Sequence, residues 1–115
     1  MEQLNKVELR GNVGSLKLQN GANRKGARLT LATNTAYHDK EGAPVIETQW
    51  HNVVAWESRY IQGLENIRKG DKLYVVGRLR YQKFTGQDGV ERIQTDIVAN
   101  RVSLLEDDEP LNVEM

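Results

Sequence analysis

The chain has no cysteine, two prolines, two histidines and few aromatic residues (two Trp, four Tyr, one Phe) among 115, and its formal net charge is zero. Each scarcity excludes something. Without cysteine, neither a disulfide framework nor a thiolate metal site is available. His38 and His51 lie too far apart in the sequence to read as a histidine metal site. No apolar run approaches the ~20 residues of a membrane span, and the polar start "MEQLNKVELRG" does not read as a signal peptide. A soluble intracellular protein is expected. Ser58 and Ser103 have no motif around them, and neither Gly-x-Ser-x-Gly nor a phosphate-binding loop occurs. No enzyme activity, metal or cofactor is expected. The length fits one domain, enough to bury roughly two-thirds of its unfolded surface.

The zero net charge conceals an asymmetry. Residues 106–115, "EDDEPLNVEM", hold five acids and no base; taking those from sixteen acids leaves eleven against sixteen basic residues. Residues 1–105 thus carry about +5, which fits a polyanionic partner, although acidic tails also serve solubility alone. The expected division is a folded domain over 1–105 and a short disordered acidic tail over 106–115.

Along the body the strand period dominates. "KVELRGNV" alternates Val7 and Leu9 with Glu8 and Arg10, a half-buried strand. "GSLKLQNGANRKG" reads as a long loop or loose hairpin. "ARLTLATNTAY" alternates again, with Leu29 and Leu31 inward, and "HDKEGAP" is a turn before "VIETQWHNVVAW". "ESRYIQGLENIRKGD" is the one helical candidate: Tyr60, Ile61, Leu64 and Ile67 share a face, with Gly70 as C-terminal cap. "KLYVVGRLRYQKF" puts Leu73, Val75, Leu79 and Tyr81 on one face and Arg78, Arg80, Gln82 and Phe84 on the other. Gly77 inside it predicts a sharp bend. "VERIQTDIVANRVSLL" is a fifth strand with Ile93 and Ile97 in phase. Five strands with one short helix between the third and fourth predict an all-β, five-stranded oligonucleotide-binding (OB) barrel. An SH3-like barrel is the alternative, though it needs no helix at that place.

Both tryptophans lie in "TQWHNVVAW". On a strand, Trp50, Asn52, Val54 and Trp56 point one way and His51, Val53 and Ala55 the other, with the indoles about 20 Å apart. Two placements are open: core anchors, or a surface for flat partners. Leu9, Leu29, Leu31, Val53, Ala55, Val75 and Leu79 already fill an interior, and Trp50 and Trp56 are out of phase with Val53 and Ala55. That favours a surface. Beside it, Arg78, Arg80 and Phe84 face outward on strand four, Lys83 lies near its tip, and Tyr37 ends strand two. Aromatic residues interleaved with cations on adjacent strands are what single-stranded nucleic acid requires: rings stack on bases, cations meet phosphates. Tyr37, Trp50, Trp56 and Phe84 are the stacking candidates; Lys6, Arg78, Arg80, Lys83 and Arg92 are the phosphate candidates.

The stretches "NKVELRGNVG", "LTLATNTAYHDKEG", "TQWHNVVAW", "IRKGDKLYVVGRLR" and "DIVANRVSLL" together resemble the bacterial single-stranded DNA-binding protein family over nearly all of residues 5–105. The resemblance implies a non-catalytic, cytoplasmic, nucleoid-associated homotetramer that coats single-stranded DNA with little sequence preference during replication, recombination and repair. It puts aromatic residues at all four of the family's stacking positions, with Tyr37 and Phe84 where tryptophan is common and Trp56 where phenylalanine is common. It assigns His51 to a subunit interface. The alternative is a primosome-type dimeric adaptor that binds DNA weakly and recruits replication proteins; a purely structural barrel, its rings forming an oligomer interface, is a third reading. The sequence departs from the family in three places. "SLKLQNGANRKGAR" lacks the usual Asp-Pro-Glu, Asn52 and Ser58 stand where basic residues are common, and the tail ends Asn-Val-Glu-Met in place of an acidic Pro-Phe tip. Tail-mediated partners are therefore not expected.

Overall fold

The computed structural model describes residues 2–105; the expected acidic tail over 106–115 lies outside the described residues. Five strands appear, β1 (Val7–Asn20), β2 (Lys25–His38), β3 (Pro44–Trp56), β4 (Lys72–Thr85) and β5 (Glu91–Leu104). They close in the order β1-β2-β3-β5-β4, with β1 returning to pair with β4. All neighbours are antiparallel except β3 and β5, which run parallel and meet at only two positions, Val53↔Ile97 and Val54↔Val98. This is the expected all-β OB barrel.

Strict alternation explains why these segments fold as they do. β2 pairs β3 without a break from Gly26↔Trp56 to His38↔Pro44, so a single phase decides every side chain of both strands. Leu29, Leu31, Val53 and Ala55 turn inward and are buried with Leu73, Val75, Ile97 and Ala99. Leu9 packs against this core from the edge. Gly77 sits where β4 changes register against β5, the bend that its place in the strand predicts. A β-carbon there would lie 2.3 Å from the Val98 carbonyl oxygen. The strands approach too closely for any side chain.

Three expectations are corrected. The helix between strands three and four is a single 3-10 turn, Leu64–Asn66, preceded by Gly63 in the left-handed region at φ 73°. Ile61, Leu64 and Ile67 are buried, but only Leu64 lies in the turn: Ile61 forms an isolated bridge with Ser58, and Ile67 is already extended. Tyr60, expected on the same face, is exposed. Secondly, "GSLKLQNGANRKG" is mostly strand: β1 continues to Asn20 and β2 begins at Lys25, leaving a tight turn closed by the Gly21 amide donating to Arg24 O at 2.8 Å. Thirdly, Leu79, Tyr81 and Ile93 are in phase with the core yet 37%, 69% and 65% exposed. The β4–β5 hairpin outruns the barrel, so the inward face of its outer half has no opposite wall to pack on.

Gly77→Ala is expected to destabilise the fold by about 1–3 kcal/mol, because the clash is with backbone. Urea unfolding measures this; an unchanged midpoint would mean that β4 and β5 can separate freely.

Candidate nucleic-acid interface

The outer face of the sheet is set by the same register. Trp50 stands opposite Ala32, Asn52 opposite Thr30, Val54 opposite Arg28 and Trp56 opposite Gly26, while His51, Val53 and Ala55 stand opposite Leu31, Leu29 and Ala27. Both indoles therefore leave the barrel on the outer side. Each also rests on glycine. Trp50 reaches across β2 to Gly14 of β1, where a β-carbon would lie 2.3 Å from its six-membered ring. Gly14 is the residue skipped by the register shift between Val13 and Ser15, a β-bulge. The neighbouring Ser15 amide and hydroxyl bond to Thr30 Oγ1 at 3.0 and 2.9 Å. Trp56 lies over Gly21 and Gly26, with the Arg24 guanidinium 5.4 Å from its ring centroid, a cation–π distance. Trp50 is 61% exposed, whereas Trp56 is half-buried. The two rings differ: Trp50 offers an open face, and Trp56 is covered by Arg24.

Phe84, 43% exposed, stands opposite Arg92 on the outer side of the β4–β5 hairpin. It joins Trp50 in lining a cleft of about 500 Å³ together with His51, Asn52, Leu79, Ile93, Gln94, Thr95 and Ile97. The cleft exists because β3 and β5 separate beyond Val53↔Ile97. Its lining combines aliphatic side chains with amides and rings. Tyr37 is not brought to this cleft. It stands opposite Val45 near the far end of the β2–β3 hairpin, in phase with Leu31 and His51, so it emerges on the side away from Trp50.

His51, which the family resemblance assigns to a subunit interface, is half-buried, and its Nε2 shares a hydrogen bond with Thr33 Oγ1 at 2.8 Å. Burial holds its pKa below the usual 6.5, which keeps the ring neutral at physiological pH.

The cations are less free than the sequence implies. Lys6 pairs with Glu8 at 3.0 Å, Lys83 with Glu91 at 3.7 Å, Arg92 with Asp88 at 2.7 Å and Arg80 with Asp96 at 3.3 Å. A hydrogen bond from Lys6 to the Glu8 carboxylate, and its charge, raise the lysine pKa above 10.5. Arg78 is exposed and, among the described residues, has no ion pair. Pairs at the exposed surface hold for only ~0–1 kcal/mol, so a phosphate competes with them readily. Residues missed by the sequence reading are Gly14, Gly21, Arg24 and Gly26 around the indoles, and Arg28, Gln94 and Asp96. Arg28 was findable, since it alternates outward with Thr30 in "ARLTLAT"; the others needed the register. Among the described residues, no group of three or more His, Asp or Glu side chains is placed to hold a metal ion.

An OB barrel with exposed rings and arginines on one outer face belongs to the class of oligonucleotide-binding folds. The comparisons narrow this class. The profile of the single-strand binding protein family matches residues 4–105, and the chain belongs to that family. It is 43% identical over 104 residues to the single-stranded DNA-binding protein of Xanthomonas campestris pv. campestris, covering 89% of this chain and 60% of that protein. It is 33% identical over 106 residues to the corresponding protein of Neisseria meningitidis serogroup B, covering 89% and 60%. The chain thus spans about 60% of the length of these curated relatives. A solved Plasmodium falciparum SSB complex with ssDNA is similar at a TM-score of 0.76 and 28% identity, over 91% of this chain and 96% of that one. The single-stranded DNA-binding protein from Thermus aquaticus shares the fold at a TM-score of 0.74 and 24% identity, over 91% of this chain and 52% of the other.

His51 gives a pH prediction. Its folded pKa is below its unfolded value, so the neutral ring stabilises the fold and this contribution is complete above about pH 6.5. As pH falls below that value, the unfolded chain takes up a proton that the folded chain resists, and stability declines until the lowered folded pKa is passed. His51→Gln should flatten this part of the stability–pH curve in chemical unfolding; a curve identical to the parent's would remove His51 as its source.

Proposed function

We propose that this protein coats single-stranded DNA without catalysis and with little sequence preference, as a homotetramer serving replication, recombination and repair. The observation that carries the reading is Trp50, laid over Gly14 with its outer face open and flanking the cleft that also holds Phe84. Rings bind bases by stacking worth about 1–3 kcal/mol each, whichever base is present. Membership of the single-strand binding protein family and likeness to the Plasmodium falciparum SSB complex with ssDNA support it. Trp50 and Phe84 are the main stacking stations, Tyr37 is a separate one on the other side of the β2–β3 hairpin, and Trp56 offers its ring through Arg24. Arg78 meets phosphate directly; Lys6, Arg92 and, on the other side of the β4–β5 hairpin, Lys83 exchange a surface carboxylate for it, and Arg80 belongs to the same face as Arg78. His51 serves assembly, and the protein works in the cytoplasm on nucleoid DNA.

Tryptophan emission titrated with a pyrimidine homopolymer tests this. Strong quenching is expected, and Trp50→Ala should weaken binding by about 1–3 kcal/mol, the loss of one stacked base. A folded chain whose emission does not respond to the polymer, and which does not retain it, would end the coating reading.

A second reading draws on a specific observation. Four of the five candidate cations are engaged in ion pairs and Trp56 is covered by Arg24, as would suit a primosome-type dimeric adaptor with weak DNA affinity. Light scattering separates them: a tetramer is expected, and a stable dimer would favour the adaptor.

A further inference from the structure

Asp96 is the sole buried polar or charged side chain among the described residues, with 0% exposure, and it is not in the core. It lies on β5 opposite Arg80, in phase with the outward Gln94 and Arg92 and out of phase with the buried Ile97. Arg80 Nη2 donates to its Oδ2 at 3.3 Å. From the other side, Arg28 of β2 brings Nη1 to 3.6 Å from Oδ1, and Gln94 Nε2 donates to the same oxygen at 2.8 Å. β3 runs between β2 and β5, and its outward Val54, opposite Arg28 and paired with Val98, is only 2% exposed. Two guanidiniums from non-adjacent strands thus converge on one carboxylate beside a buried valine. Along β3 this point falls between Trp50 and Trp56.

We propose that Arg28, Asp96 and Arg80 form a preformed seat for a backbone phosphodiester, with Asp96 as the positioning residue; this rests on the single-stranded DNA reading above. One carboxylate against two guanidiniums leaves a net positive charge. Each guanidinium carries five N–H donors in a rigid fork, and Asp96 engages one nitrogen of each. The side chains of Arg28 and Arg80 remain 44% and 34% exposed, so donors are left facing outward. Arg80 Nε is buried with no hydrogen-bond partner. A guanidinium oriented by its own hydrogen bonding would turn that N–H to water, so the pose is imposed by the carboxylate. Holding two forks in fixed geometry removes the ordering cost that two mobile arginines bring to phosphate binding.

Charge and geometry predict opposite outcomes for Asp96→Asn, which makes the test decisive. The substitution adds one positive charge to the face, so an acid that merely lies near the DNA would, on removal, raise affinity for a dT homopolymer and steepen its salt dependence. The seat predicts the reverse: about tenfold weaker binding, with the slope of log K against log salt shallower by about 0.7 for a lost single-strand phosphate contact. Arg28→Lys and Arg80→Lys preserve charge at positions that are at least partly exposed and keep the test open where Asp96→Asn does not fold. Each should weaken binding several-fold, because an ammonium cannot reproduce the fork. Unchanged or tighter binding in Asp96→Asn, or both lysine variants matching the parent, overturns the seat. Parent protein that binds dT while the variants match it sinks this proposal alone; parent protein that does not bind sinks both.

Discussion

The barrel closes through two parallel register positions, Val53↔Ile97 and Val54↔Val98, and the rest of the molecule is arranged around that short contact. On one side of it, Val53 and Ile97 are buried in the core, and the 3-10 turn adds Leu64 to that core between Ile61 and Ile67. On the other side, β3 and β5 part company while each stays zipped to its hairpin partner, β2 and β4. Separated strands cannot form ladder bonds to each other, and the space between them becomes the cleft flanked by Trp50 and Phe84. A longer β3–β5 ladder would add hydrogen bonds worth about 1 kcal/mol each, but it would seal the cleft.

The outer face depends on what lies under the rings. A tryptophan on an exposed strand ordinarily stands off the sheet. Here the side chains that would hold it off are missing: Gly14 under Trp50, and Gly21 with Gly26 under Trp56. The bulge at Gly14 gives β1 a residue with no cross-strand partner at the place where the indole arrives. Trp50 is held in place by packing on backbone, at the expense of strand propensity in β1. A ring already held would lose little freedom on stacking against a base, which is where pre-organisation would contribute to affinity.

The fold was largely legible because alternation is unbroken over β2 and β3, so Leu29, Leu31, Val53 and Ala55 announce the interior and Trp50 and Trp56 the exterior. Where legibility failed, a non-local cause is visible. Ile61, Leu64 and Ile67 fit a helical face on paper, but Gly63 takes a positive φ, and spacing alone does not separate a 3.6-residue turn from a 3-residue one. Residues 15–20 read as loop because Gly and Asn surround them, whereas pairing with residues 25–30 makes them strand. Leu79, Tyr81 and Ile93 were misplaced because period gives the face and not how far the barrel wall extends. For the interface, residue types were legible and contacts were not. Arg28 and Asp96 are 68 positions apart and on strands that are not neighbours in the barrel, so no local pattern joins them.

Placement of Asp96 raises a question of energetics that the fold alone does not answer. Removing a carboxylate from water costs several kcal/mol, and even well-paired buried ions frequently do no better than apolar residues of equal volume. β5 could satisfy its outward phase at that position with a valine, as Val98 does two residues on. Stability therefore gives little reason for an acid between Arg28 and Arg80. Without one, however, two guanidiniums converging beside Val54 would repel each other and splay towards solvent. The carboxylate makes the convergence tolerable, and the convergence is what β2 and β4 contribute jointly to the face. A device of this kind is chiefly consequential for geometry, which fits its place on the outer face between the indoles and not in the core.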